Sequence, residues 1–158
     1  MHELNLSSCN LDNDIVGALG NVNTLYLCDT AAKSSLFKSL SSLLCGPNMQ
    51  ILDCSGCPNL THVNLLAHSQ SLTCINLTGC NISNEDVIGL GSIISLKILN
   101  LKASHNITNV DPLVNVRTLN LSDCRGVDNI SNLGNTSRNL KKLILDGTRG
   151  STIYYYIH

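Results

Sequence analysis

The amino-acid sequence predicts an α/β solenoid, a curved parallel β-sheet of seven repeats with a mixed helical and irregular convex side. A phrase with apolar residues at positions 1, 4 and 6, and Cys, Ser or Thr at position 9, starts at Met1, Val22, Met49, Leu72, Leu96, Val116 and Leu140. Its second apolar slot falls at Leu4, Leu25, Leu52, Ile75, Leu99, Leu119 and Leu143, giving spacings of 21, 27, 23, 24, 20 and 24 residues. Self-similarity at such a period is the mark of stacked repeats. Composition points the same way, because Leu supplies 27 and Asn 20 of the 158 residues while aromatic residues number five. Such a core is filled by small branched side chains in one recurring geometry.

Alternation at positions 4 to 6 is the period of a short strand with positions 4 and 6 turned inward. Strands are therefore expected at residues 3–5, 24–26, 51–53, 74–76, 98–100, 118–120 and 142–144, all parallel, with Leu4 through Leu145 inward in pairs. Position 9 holds Cys9, Thr30, Cys57, Cys80, Ser104, Cys124 and Thr148, small and weakly polar side chains suited to buried backbone groups. Between strands the connections differ. In 31–48, Leu36, Leu40, Leu43 and Leu44 recur at helical spacing before Gly46-Pro47, which predicts a helix. Ser83 with Asp86 three residues on resembles a capping box and predicts a second helix over 84–90. The short return containing Pro112 predicts a 3₁₀ or extended turn, with the least bend there. Residues 1–148 form the solenoid; 149–158, with Tyr154, Tyr155 and Tyr156, form a tail or incomplete cap suited to an irregular edge strand. Because Met1 already fills the first apolar slot, neither end reads as capped, and the chain is expected to be part of a longer polypeptide.

The phrase matches L-x-x-L-x-L-x-x-N/C-x-L, so residues 1 to about 150 resemble the leucine-rich-repeat proteins. CSGCPNLTHVNLLAHSQSLTCINLTGC, residues 54–80, is similar to the cysteine-containing repeats of F-box leucine-rich-repeat proteins, which present targets to ubiquitin ligases. NITNVDPLVNVRTLNLSDCRGVDNISNL, residues 106–133, resembles a phrase of bacterial internalins and trypanosomatid leucine-rich-repeat proteins. The mixture looks most like the protist type. This resemblance implies a non-enzymatic recognition module for a protein partner, such as the target-recognition part of a ligase adaptor. Its alternative is a glycosylated extracellular or cell-surface adhesion domain.

Ten basic against eleven acidic side chains leave a net charge of −1, with no basic excess for nucleic acid. The halves differ: residues 1–79 carry two basic and five acidic side chains, and residues 80–158 carry eight and six. No apolar run reaches the roughly 18 residues of a membrane span, and the start lacks the basic and apolar regions of a signal peptide.

Cys54 and Cys57 have the spacing of a metal-binding pair, but a structural zinc site takes four ligands and no second pair is spaced to match. The repeat accounts for both, Cys54 in the inward slot and Cys57 at position 9. Cys28 and Cys74 fall on outward positions and are expected to be the reactive thiols. Eight cysteines explained mostly by burial in the ladder imply a reducing, intracellular compartment. Eight N-x-S/T sequons, at Asn5, Asn59, Asn76, Asn81, Asn106, Asn120, Asn129 and Asn135, stand against that reading, although L-N-L-S/T itself generates three of them. The five His are scattered and no catalytic constellation, cofactor motif or metal set is assigned.

The candidate partner-binding residues are the outward ones: Tyr26, Asp53, Asn76, Asn100 and Asn120 at position 5, Lys102 at position 7, and Lys97, Arg117 and Lys141 at position 2. The cations are expected to act together on an acidic segment of the partner. Leu99→Ala should cost about 2–5 kcal/mol as a large-to-small core change. Asn100→Ala, taken as an ordinary surface change, should cost under about 0.5 kcal/mol.

Overall fold

Three residues per repeat are extended, and the sheet is built from these short segments alone. The computed structural model describes residues 2–10, 21–30, 47–136, 139–148 and 155–156. The strands are β1 Glu3–Asn5, β2 Thr24–Tyr26, β3 Ile51–Asp53, β4 Cys74–Asn76, β5 Ile98–Asn100, β6 Thr118–Asn120, β7 Lys142–Ile144 and β8 Tyr155–Tyr156. Their order in the sheet is their order in the chain. The first seven pair in parallel, position 4 opposite position 4 at every junction, as the repeat phase predicts. The edge strand β8 from the tyrosine-rich tail pairs antiparallel with β7.

One hydrogen-bond pattern recurs at all six parallel junctions. The position-2 carbonyl accepts from the position-2 and position-3 N–H groups of the next repeat, as Lys97 O does from Arg117 and Thr118, both at 2.9 Å. The position-6 and position-8 N–H groups donate to the position-5 and position-7 carbonyls of the next repeat, as Leu101 does to Asn120 at 2.9 Å and Ala103 to Ser122 at 2.9 Å. The ladder is therefore indifferent to the length of chain between one strand and the next. Inward side chains become one continuous core: Leu25, Leu52, Ile75, Leu99, Leu119 and Leu143 are 0–3% exposed. Each such side chain contributes on the order of 1.5–3 kcal/mol by leaving water. At the sheet edge Leu4 and Leu6 are half-buried.

Convex structure is mixed. Helix α1, Asn84–Gly91, has the capping box the sequence predicts, with Ser83 N–H donating to Asp86 Oδ2 at 3.0 Å and Asp86 N–H to Ser83 Oγ at 3.3 Å. A 3₁₀ turn spans Asp111–Leu113 with Pro112 in its first turn. Two further pieces escaped sequence reading, a 3₁₀ helix Val63–His68 and a one-and-a-half-turn α2, Ser131–Thr136. In Val63–His68 the buried residues are Val63 and Leu66, an apolar spacing of three too brief to register as a helix. The helix expected within 31–48 lies outside the described residues. Among the described residues no helix is long and apolar enough to cross a membrane.

Each strand ends in a left-handed residue. Position 8 has φ of 60° at Ser8, 52° at Asp29, 71° at Gly56 and Gly79, 62° at Ala103, 60° at Asp123 and 73° at Gly147. The chain must turn inward while the position-8 N–H still reaches the next repeat, and the left-handed region satisfies both. Glycine occupies it without strain, whereas an L side chain there costs about 1–2 kcal/mol. Asp29 adds a second constraint, because a Cβ on Gly56 would lie 1.9 Å from its Oδ1, while one on Gly79 would find its nearest neighbour at 3.9 Å.

One residue later, from the second repeat to the sixth, the chain buries the position-9 side chain, and the cysteines there tie neighbouring repeats together. Cys57 Sγ donates to Leu27 O at 3.0 Å, Cys80 Sγ to Cys54 O at 3.0 Å and Cys124 Sγ to Leu101 O at 3.1 Å, in each case the position-6 carbonyl of the preceding repeat. The hydroxyls of Thr30 and Thr148 donate within their own repeats, to Leu27 O at 3.0 Å and Leu145 O at 2.7 Å, and Thr30 Oγ1 also lies 3.3 Å from Cys57 Sγ of the next repeat. Ser104, in the same slot with a shorter Cβ–O bond, is fully buried and its hydroxyl has no partner. Cys54 and Cys57 thus have separate duties, one filling the core and the other linking repeats.

Ala103→Gly should therefore stabilise the fold by about 0.5–1 kcal/mol, the left-handed strain relieved less the added unfolded-state entropy. Gly56→Ala should cost more than Gly79→Ala in thermal melts, by up to about 1 kcal/mol, because a side chain there must turn the exposed Asp29 carboxylate aside. Ser104→Cys should raise stability by about 1 kcal/mol, since a buried donor without a partner costs about 1–3 kcal/mol. Ser104→Ala should be neutral or stabilising; a loss above 1 kcal/mol in urea unfolding would mean the hydroxyl is bonded.

Candidate functional site

Strand parity turns positions 3, 5 and 7 outward, and position 2 stands at the rim where each strand begins. These four rows run across the sheet, but they are not equally free. The backbone ladder uses the N–H groups of positions 6 and 8 and leaves that of position 7 without a strand partner. Position 5 supplies it: the Ser7, Ser55, Thr78, Lys102 and Ser122 N–H groups donate to Oδ1 of Asn5, Asp53, Asn76, Asn100 and Asn120, at 2.9, 2.9, 3.2, 3.1 and 2.9 Å. This is a side chain mimicking a turn two residues on. In the second repeat Tyr26 cannot accept, and the Cys28 N–H turns to Ser7 Oγ at 3.3 Å.

Asp53, Asn76, Asn100 and Asn120, expected to be partner-facing, therefore each hold a strand end. Asn76 Nδ2 also donates to Asp53 Oδ2 at 2.9 Å. Burial alone would raise the Asp53 pKa. Hydrogen bonds from Ser55, Asn76 and Cys28 outweigh it and hold the carboxyl below its ordinary value of 3.8.

Of the nine candidate residues the structure brings Lys97, Arg117 and Lys141 side by side, exposed, on adjacent strands linked through their backbones. No ion pair forms at any of the three among the described residues. Lys102 does not join them. It lies beyond the far end of its strand and pairs with Asp123 at 3.9 Å, both about half exposed, a geometry that contributes little in water. Tyr26 stands three strands away on β2, half-buried.

Sequence reading missed the position-3 row. Ile51 is 36% and Ile98 45% exposed, with Cys74 half-buried between them in register. Their parity with position 5 was the available signal.

The thiols also differ from expectation. Cys28 and Cys74 are half-buried, and burial followed by the nearby Asp53 charge raises the Cys74 pKa, so this thiol is not activated. Cys9, expected in the buried slot, is exposed because β1 is the edge of the sheet. Burial pushes Cys80 up to about 12 and Cys124 to about 11, which keeps both protonated as donors. Among the described residues no group of three His, Cys, Asp or Glu could hold a metal ion.

A family model described as leucine rich repeat matches residues 1–20 and 68–91. No curated protein matches the sequence. The crystal structure of an internalin from Listeria monocytogenes superposes with a TM-score of 0.60 at 16% identity, over 92% of this chain and 54% of the internalin. The chain thus spans about half of that protein.

Asn100→Ala should cost about 1 kcal/mol rather than the 0.5 kcal/mol or less of an ordinary surface change, because it strips the Lys102 N–H of its acceptor. In parallel melts Leu99→Ala should still cost more; equal losses would show that inward and outward positions are misassigned.

Proposed function

We propose that this chain, a leucine-rich-repeat protein, is a non-enzymatic protein-interaction module whose strand face takes an acidic segment of a protein partner. One observation carries the reading: Lys97, Arg117 and Lys141 stand in line on successive strands, exposed and unpaired among the described residues. Neighbouring strands lie about 4.8 Å apart, so three cations gather within about 10 Å. Their fields add, which favours an anionic partner and speeds its encounter. Seven strands extend roughly 29 Å, enough for one side of a standard protein interface. The likeness of residues 54–80 to F-box repeats supports a ligase-adaptor role, and the seven described cysteines, all free, support a reducing intracellular setting.

A second reading, a glycosylated surface domain, draws on the sequons, since Asn59, Asn81, Asn106 and Asn129 are exposed. Eight titratable thiols in protein purified from its natural source support the first reading; disulfides with glycan mass heterogeneity support the second.

Random peptides displayed and selected on the 158-residue chain should be enriched in Asp and Glu. An R117E/K141E variant should lose that enrichment while its stability stays within about 0.5 kcal/mol, as for other surface changes. Selection without acidic bias at low ionic strength would assign the row to solubility.

A further inference from the structure

The basic row does not stand alone. Position 3 adjoins position 2 in the chain, and on β3, β4 and β5 it carries Ile51, Cys74 and Ile98, paired in register. Isoleucines 36% and 45% exposed contrast with the small polar side chains beside them. The apolar row spans β3 to β5 and the cationic row β5 to β7, and they meet at Lys97-Ile98. Neither row has a structural duty like that of position 5. Two chemistries therefore lie end to end along one line across the strands.

We infer that the partner segment is an extended, block-patterned peptide crossing the strands along positions 2 and 3, with its apolar residues over Ile51, Cys74 and Ile98 and its carboxylates over Lys97, Arg117 and Lys141. From β3 to β7 are four strand steps, about 19 Å, the reach of about six extended residues at roughly 3.4 Å each. Three apolar and three acidic residues fill that length. An extended segment turns alternate side chains to the surface, so blocks set apolar side chains over the isoleucines and carboxylates over the cations, whereas strict alternation presents a single chemistry to both. The inference rests on the acidic-segment reading and adds the order of chemistries within it.

The test uses the whole chain and three fluorescently tagged hexapeptides of identical composition and charge, LLLEEE, EEELLL and LELELE. One block peptide should bind at least tenfold more tightly than LELELE. Ile98→Ser, at an exposed position, should abolish that preference with the fold intact by thermal melt. The bound block peptide should slow alkylation of Cys74, followed by mass spectrometry, and leave that of the exposed Cys9 unchanged. Equal binding of block and alternating peptides, both weakened by R117E/K141E, overturns this inference and leaves the acidic-segment reading standing. Binding that is absent, or indifferent to R117E/K141E, overturns both.

Discussion

A strand of three residues cannot bury its own leucines, so each repeat depends on the hydrogen bonds that set it against the next. Those bonds are the same at all six parallel junctions, with the position-2 carbonyl taking two donors and the position-6 and position-8 N–H groups each finding a carbonyl one repeat on. A slip of one residue would turn Leu25, Leu52, Ile75 and their successors to solvent and the outward row to the core. Register and core therefore support one another, and the repeat length is free to vary from 20 to 27 residues because the ladder uses only positions 2 to 8 of each repeat.

The same ladder explains residues that otherwise look unrelated. It requires a left-handed turn at position 8, which glycine supplies three times and Asp, Ser or Ala the other four. By passing over one N–H at position 7 it requires an acceptor at position 5, and Asn or Asp meets that need in five repeats. Its position-6 carbonyls accept a thiol from the following repeat at Cys57, Cys80 and Cys124. Four of the 20 Asn and three of the eight Cys thus serve to end a strand inside a stack. Ser104 shows what an imperfect copy does, leaving a buried hydroxyl unbonded.

In the proposed reading, binding falls to what the ladder leaves over. Position 5 is exposed in part but committed to the backbone, and Lys102 is committed to Asp123. At positions 2 and 3 the side chains of Lys97, Arg117, Lys141, Ile51 and Ile98 are exposed with no such bond among the described residues. A partner that recognises this face reads the rows in which the sequence varies from repeat to repeat, while the rows of Leu, Asn and Cys hold the surface in shape.

The sequence by itself determined the repeat number, the position of each of the seven parallel strands, the inward pairs and the two convex elements marked by a capping serine at 83 and a proline at 112, because strand period, capping and proline chemistry act within a few residues of chain. It also showed the basic residues at position 2. Only the tertiary structure decided that Asn100 is structural while Lys97 is exposed and unpaired among the described residues, that Cys74 is shielded while Cys9 is exposed, and that Ile51, Cys74 and Ile98 form one line. The shielding of Cys74 and the line of Ile51, Cys74 and Ile98 depend on neighbours about 20 to 27 residues away in sequence but one strand spacing away in space, and Asn100 holds the Lys102 N–H because the ladder to the next repeat passes over it. Whether an outward side chain is available to a partner is settled by what the adjacent repeat asks of it, and that demand is set across the stack.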